Sequence, residues 1–121
     1  MSRILLVEDD PNILLVFEES LLDVGYIVEK AKTLQAADAF LQSACYNLII
    51  VDILLPDGNG VVLADKAAAQ GVPALIVTGY LLGLTQVYPA IDFTRYPVLQ
   101  KPLTPGDLLE AVARLLEPVT R

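Results

Sequence analysis

The sequence contains no histidine and a single cysteine, Cys45, among its 121 residues. One cysteine cannot form a disulfide within the chain or a cluster of metal-binding thiolates. The absence of histidine excludes the usual zinc sites and histidine base catalysis. Oxygen atoms are therefore the main candidates for any metal ligands.

Basic residues are also scarce, since 8 Lys and Arg face 15 Asp and Glu and the net charge is −7 at pH 7. With a pI near 4.3, the chain is a poor match for the phosphate backbone of a nucleic acid or for an anionic membrane surface. We therefore expect its partners to be proteins or cations, with no nucleic acid and no membrane among them.

Long hydrophobic runs are missing, because the longest unbroken aliphatic or aromatic run is the stretch from Ile13 to Phe17. That run is far too short to span a membrane, and the strand-like start leaves no room for a signal peptide. The length fits one domain, residues 1–121, and 55% hydrophobic residues can supply its core. We expect a cytoplasmic protein.

Short apolar runs alternate with segments of helical periodicity, which is typical of a parallel sheet with helices on both faces. The predicted strands are Ile4 to Val7, Tyr26 to Val28 with its flanks, Leu48 to Val51, Ala74 to Val77 and Val98 to Leu99. The predicted helices are Asn12 to Val24, Leu34 to Ala44, Val61 to Gln70 and Pro105 to Leu116. The pattern predicts an α/β domain with a doubly wound five-stranded parallel sheet, irregular between Leu81 and Pro97.

Polar residues follow the predicted strands at the edge where such sheets bind ligands. Glu8 and Asp9 end the first strand, Asp52 the third, Thr78 the fourth and Lys101 the fifth. Three carboxylates without His or Cys suit Mg²⁺. Lysine offers a charge for a phosphate and threonine offers a hydroxyl donor. A carboxylate beside Mg²⁺ and a lysine is a plausible nucleophile toward phosphorus.

Four motifs in this order resemble the receiver domains of two-component response regulators along the whole chain: "LLVEDDP", "IIVDILLPDGNG", "LIVTGY" and "LQKPL". The resemblance implies a flavodoxin-like, chemotaxis-receiver-like fold with strand order 2-1-3-4-5. It implies a phosphoacceptor that takes a phosphoryl group from the phosphohistidine of a histidine kinase or phosphotransfer protein, with Mg²⁺. Such a domain catalyses its own phosphorylation and slow dephosphorylation without being a conventional enzyme.

By position, the resemblance implies a role for each matching residue. Asp52 corresponds to the phosphorylated aspartate, Thr78 to the switch hydroxyl and Lys101 to the lysine that pairs with the phosphate. The implied metal ligands are Glu8, Asp9, Asp52 and the backbone carbonyl of Leu54.

Two further acidic residues receive structural interpretations. Asp10 directly precedes Pro11, and an aspartate N-cap followed by proline is a helix-start signal. We therefore predict that Asp10 caps the first helix and turns away from the metal site. Asp57 lies in "PDGNG", which is turn chemistry, and is assigned to that turn.

Other functions fit the residues less well. A phosphatase of the haloacid dehalogenase type would need a second aspartate two residues after Asp52, where Leu54 lies. A flavin or dinucleotide binder would need a Gly-rich or Ser/Thr-rich phosphate loop after the first strand, and this chain has acidic residues there. The alternative that stays open is a pseudo-receiver, which has the fold and serves for binding or dimerisation without phosphorylation.

The sequence departs from the family in the region thought to relay the signal. Val98 lies where relatives usually carry an aromatic residue, and Leu81 to Pro97 does not resemble the usual amphipathic fourth helix. That segment is rich in Leu, Tyr and Phe, so we predict that it forms the face for a downstream protein or a homodimer. No effector domain lies between the receiver motifs and Arg121, so output is expected through protein contact, unless the sequence is a piece of a longer protein.

Overall fold

The computed structural model describes residues 2–79 and 95–116. Its strands are β1 (Arg3–Val7), β2 (Ile27–Ala31), β3 (Leu48–Val51), β4 (Leu54–Leu55), β5 (Gly58–Asn59), β6 (Ala74–Thr78) and β7 (Val98–Gln100). Its helices are α1 (Pro11–Asp23), α2 (Leu34–Ser43), α3 (Val61–Ala69) and the C-terminal helix (Pro105–Leu116). The predicted strands and helices are all present, with ends that differ by a few residues at most. The short hairpin β4–β5 is an addition, since the sequence predicted only a turn there.

Five strands form one parallel sheet in the order β2-β1-β3-β6-β7. This is the predicted order 2-1-3-4-5 when the two strands of the hairpin are left out of the count. The strand order reverses between β1 and β3, so the carboxyl ends of these two strands border the crevice in which doubly wound sheets bind ligands.

Apolar side chains cover both faces of the sheet. On one face, alternate residues of the central strands pack with α2 and α3 around Leu5, Ile49 and Ile76. On the other face, the intervening residues pack with α1 and the C-terminal helix around Leu6 and Ile50. Because both faces are buried, the central strands are apolar throughout, which explains their continuous hydrophobic runs.

The helix ends follow from local chemistry. The Thr33 hydroxyl caps α2, accepting a hydrogen bond from the N–H of Ala36 at 3.1 Å. Thr104 and Asp107 cap the start of the C-terminal helix reciprocally, with side-chain to backbone distances of 3.0 and 3.1 Å. Gly25 follows α1 with φ +95°, a left-handed conformation that glycine adopts without strain.

From the sequence, a lone cysteine near a helix end is expected to be a small apolar filler, but Cys45 is exposed, so this expectation is wrong. The neighbouring Tyr46 takes the inward position and is buried in the first core. No helix within residues 2–79 and 95–116 is long and apolar enough to cross a bilayer.

Most of the segment from Leu81 to Pro97 lies outside the described residues, and so does its predicted partner face. Of its described part, Tyr96 packs against the core beside α2 and α3, and its hydroxyl donates a hydrogen bond to Asp65 of α3. Arg95 lies 3.3 Å from the same carboxylate. Tyr96 is therefore attached to α3, and Val98 contributes a partly buried aliphatic side chain to the same core.

Candidate functional site

Backbone hydrogen bonds hold the polar residues at one edge of the sheet. The N–H of Asp52, just past β3, donates to the carbonyl of Val7 at 3.1 Å. The N–H of Lys101, just past β7, donates to the carbonyl of Thr78 at 2.8 Å. Parallel pairing thus brings residues that are far apart in sequence to neighbouring strand ends.

Three carboxylates meet in a cleft of about 340 Å³ at this edge. Glu8, Asp9 and Asp52 each offer an oxygen, and these oxygens lie within 4.8 Å of one another. Glu8 and Asp52 are only 2% and 7% exposed, whereas Asp9 is exposed. Two carboxylates about 4 Å apart repel by about 4 kcal/mol at an effective dielectric constant of about 20, so the cluster needs positive charge.

Lys101 supplies one such charge. Its Nζ lies 3.0 and 3.1 Å from the two carboxylate oxygens of Glu8 and 3.0 Å from Oδ2 of Asp52. Burial lowers the pKa of the Lys101 ammonium, but attraction to Asp52 and the hydrogen bonds to both carboxylates outweigh burial and raise it overall. Lys101 therefore stays protonated while it bridges the two buried acids.

The single positive charge of Lys101 does not neutralise all three carboxylates of the cluster. Burial raises the pKa of the Glu8 carboxyl to about 7, and repulsion from Asp52 adds to this, although Lys101 acts in the opposite direction. Near neutral pH the metal-free site therefore holds a proton on Glu8 in a large fraction of the molecules.

The raised pKa of Glu8 predicts that the metal-free protein loses stability as pH rises. Below about pH 4.5 Glu8 is protonated in both states, and between about 4.5 and 7 the folded state binds more protons than the unfolded state. We expect this group to remove up to about 3 kcal/mol of the free energy of unfolding by pH 8. Urea unfolding in chelator at pH 5, 6.5 and 8 measures the trend.

Two comparisons isolate the role of Glu8 in that trend. Glu8→Gln should flatten the pH dependence, because the amide does not titrate. Saturating Mg²⁺ should stabilise the wild type more at pH 8 than at pH 5, because the cation offsets the repulsion and competes with the proton. A slope that is equally steep in wild type and Glu8→Gln would show that other groups cause it.

Thr78 ends β6 and is completely buried. Its Oγ1 has no hydrogen-bond partner among residues 2–79 and 95–116. Buried hydroxyls nearly always have a partner, and none of these described residues supplies one for Thr78. Its donor capacity suits an anionic oxygen.

Asp10 is confirmed as the N-cap of α1, since its Oδ1 accepts hydrogen bonds from the N–H groups of Asn12 and Ile13 at 2.9 and 3.3 Å. The three consecutive acids therefore divide their roles. Glu8 and Asp9 contribute to the carboxylate cluster, and the side chain of Asp10 is committed to the helix.

The loop after Asp52 depends on a glycine whose part the sequence did not reveal. A Cβ atom on Gly60 would lie 2.0 Å from the backbone oxygen of Asp52, so no larger residue fits without moving the loop. The N–H of Gly60 donates to the carbonyl of Ile53 at 2.7 Å, and the N–H of Leu54 donates to Oδ1 of Asp52 at 3.3 Å. Glycine at position 60 therefore allows the chain to pass close to the backbone of Asp52.

The site suits a hard divalent cation. Its acidic ligand candidates are oxygens, and Leu54 lines the same cleft as Glu8, Asp9 and Asp52. Mg²⁺ prefers one or two carboxylates with water and phosphate oxygens as its ligands. The chemistry of the side chains present is therefore compatible with Mg²⁺.

The sequence profile of the response regulator receiver domain matches residues 4–113. The match includes the strand ends, the acidic cluster and the loop that contains Gly60. The chain therefore belongs to the response regulator receiver domain family.

Individual relatives agree with this assignment. The alginate biosynthesis transcriptional regulatory protein AlgB of Pseudomonas aeruginosa is 37% identical over 118 residues, which are 96% of this chain and 26% of that protein. The chain thus spans about a quarter of the length of this relative.

Two solved structures are similar along most of their length. A CheY-like receiver domain protein from Methanospirillum hungatei JF-1 superposes with a TM-score of 0.83 at 34% sequence identity. The superposition covers 97% of this chain and 94% of that protein chain. The response regulator protein TrrA of Thermotoga maritima, in complex with Mg²⁺-BeF, superposes with a TM-score of 0.78 at 28% sequence identity. The superposition covers 96% of this chain and 100% of that protein chain.

Proposed function

We propose that this receiver domain accepts a phosphoryl group on Asp52 from the phosphohistidine of a histidine kinase or phosphotransfer protein. The observation that carries the proposal is the position of the Asp52 carboxylate, which lies 3.0 Å from Nζ of Lys101 in an acidic cleft. A buried nucleophile, a fixed ammonium and further carboxylates for a cation form the set that phosphoryl transfer requires.

In this reaction an oxygen of Asp52 attacks phosphorus, an O–P bond forms and the P–N bond of the phosphohistidine breaks. The electrons of the P–N bond go to the departing imidazole nitrogen, which takes up a proton from solvent water. Lys101 neutralises negative charge on the transferring group, and the Thr78 hydroxyl donates to one of its oxygens. Mg²⁺, when bound by Glu8, Asp9, Asp52 and the backbone carbonyl of Leu54, would neutralise further charge. That list of ligands is part of the proposal.

Intact mass spectrometry with a small phosphodonor tests this function. We expect the mass of one phosphoryl group to be added in the presence of Mg²⁺ and none to be added in excess chelator. Phosphorylation at full rate in chelator would contradict the metal requirement. No phosphorylation under any condition, from a small donor or a kinase, would favour the pseudo-receiver that binds or dimerises without modification.

A phosphodonor protein has to approach Asp52 through the cleft. An apolar groove of about 450 Å³ adjoins that cleft between α1 and the loop after β7, and it includes Phe17 and Leu103. We propose this groove as the docking site of the phosphodonor protein.

The downstream partner, or a second copy of the chain, is proposed to bind the face from Leu81 to Pro97, with transfer of the signal through protein contact.

Leu54 is proposed to slow hydrolysis of the phosphorylated aspartate. It is 47% exposed, lines the cleft and has no polar group that could orient an attacking water. Leu54→Asn should speed dephosphorylation several-fold, since an amide can hold such a water. The decay of the phosphorylated mass after removal of the donor measures this rate.

A matched control for that prediction is Val62→Asn, because Val62 is an apolar residue with a similar exposure of 49% on α3. Equal decay rates in the two variants and the wild type would disprove the role of Leu54. Tyr80, two residues past Thr78, is expected to act together with Leu54, so Tyr80→Glu should also speed dephosphorylation; Tyr80 lies outside the described residues.

A further inference from the structure

The hairpin that contains Leu54 is too short to hold its own position. Strands β4 and β5 have two residues each, pairing Leu54 with Asn59 and Leu55 with Gly58. An isolated two-stranded hairpin is marginally stable at best in water, so contacts with the rest of the fold have to fix it. Leu55 supplies one such contact, because its side chain is buried in the core beside α2 and α3.

A second contact comes from Asp57 at the tip of the hairpin. Its Oδ1 accepts a hydrogen bond from the N–H of Leu34 at 2.8 Å, and its Oδ2 accepts one from the N–H of Gln35 at 3.1 Å. These are the first two N–H groups of α2, which has no acidic residue in its own first turn. The hydrogen bond from Leu34 lowers the pKa of the Asp57 carboxyl, so the group is charged at neutral pH.

The negative charge of Asp57 and its position at the start of α2 both strengthen this contact. A carboxylate at a helix N-terminus interacts favourably with the helix dipole, and charge-assisted hydrogen bonds are stronger than neutral ones. The adjacent Gly58, with φ +147°, brings the hairpin close to Leu34, since a Cβ there would lie 2.7 Å from Cδ1 of that leucine. Hairpin and helix therefore meet at a tight and specific junction.

We propose that Asp57 is a positioning residue for the cation site, because it attaches the hairpin to α2 and thereby holds Leu54 at the edge of the cleft. This inference rests on the proposed function, in which the backbone carbonyl of Leu54 is a metal ligand. Groups that orient metal ligands typically change metal affinity when they are removed, even though they do not contact the ion.

The experiment compares Asp57→Ala with Thr33→Ala in the full chain. Both variants remove a cap from the N-terminus of α2, but only the first releases the hairpin. Calorimetric titration with Mg²⁺ alone, at pH 7.5 and fixed ionic strength, gives the Kd of each folded variant. We expect Asp57→Ala to weaken Mg²⁺ binding about tenfold and Thr33→Ala to change it less than about twofold.

A metal-free readout accompanies the titration. Amide hydrogen exchange in chelator should be faster at Leu54 and Asn59 in Asp57→Ala, whereas in Thr33→Ala the increase should be confined to α2. Asp57→Asn retains one acceptor oxygen and should give an intermediate Kd. It also serves as the test variant if Asp57→Ala does not fold.

The outcomes separate this inference from the proposed function. If the wild type binds Mg²⁺ and the aspartate variants match Thr33→Ala in Kd and in exchange at Leu54, Asp57 is only a helix cap and the inference is overturned. If the wild type itself binds no Mg²⁺, the proposed function fails and the inference fails with it.

Discussion

Asp52→Asn is expected to abolish phosphorylation, leaving the intact mass unchanged after incubation with a small phosphodonor and Mg²⁺. The amide is not a nucleophile toward phosphorus, and it also removes a negative charge from the cation site. The variant should fold, because the substitution relieves repulsion from Glu8 while Lys101 keeps its two contacts with that residue. Its free energy of unfolding in chelator should equal or exceed that of the wild type.

Asp10→Asn is the matched control for this experiment. Asp10 is an acid close to the same cleft, and asparagine caps helices about as well as aspartate does. This variant should be phosphorylated on Asp52 to the same final extent as the wild type. Full phosphorylation of Asp52→Asn would show that another residue is the acceptor.

Lys101→Met is expected to destabilise the metal-free protein by about 3 kcal/mol at pH 7.5, because it leaves buried carboxylates without their cation. The side chains of Glu8 and Asp52 that contact Lys101 are only 3% and 9% exposed. Because Lys101 lowers the pKa of Glu8, this pKa should lie above about 7 in the variant, so the loss should shrink as pH falls toward about 7. Urea unfolding in chelator across this pH range measures both effects.

Lys66→Met provides the comparison, since Lys66 pairs with Asp38 at 2.9 Å but has a side chain that is 50% exposed. A surface pair of this kind contributes at most about 1 kcal/mol. Phosphorylation should be strongly slowed in Lys101→Met and unaffected in Lys66→Met. Equal losses of stability in the two lysine variants would show that Lys101 does not compensate the buried acids.

Patterns local to the chain were sufficient to predict the regular elements. Asp10 before Pro11 predicted the start of α1, and Thr104 before Pro105 is a helix-start signal of the same kind for the C-terminal helix. Leu108 and Val112 lie four positions apart, a spacing that predicts one apolar stripe on a helix, and both residues are fully buried. Such signals act between residues a few positions apart, so they can be read without knowing the fold.

The meeting of distant residues was predictable for a different reason. Parallel strands place their carboxyl ends at one edge, so residues that end successive strands had to approach one another. Strand direction and the order of the motifs therefore predicted that Glu8, Asp52, Thr78 and Lys101 lie close together. Strand direction does not predict the distances of 3.0 and 3.1 Å between Lys101 and Glu8. Nor does it predict that the Thr78 hydroxyl has no hydrogen-bond partner among the described residues.

The sequence by itself determined the order of strands and helices, their caps and the set of charged groups at the sheet edge, because each depends on local periodicity or on strand direction. Only the tertiary structure decided that Asp57 caps α2 across 23 positions of sequence, that Gly60 passes beneath Asp52, and that Glu8 has a pKa of about 7. These features depend on burial and on contacts between segments separated along the chain. Hydrogen-bond geometry and desolvation arise only when those segments are packed together.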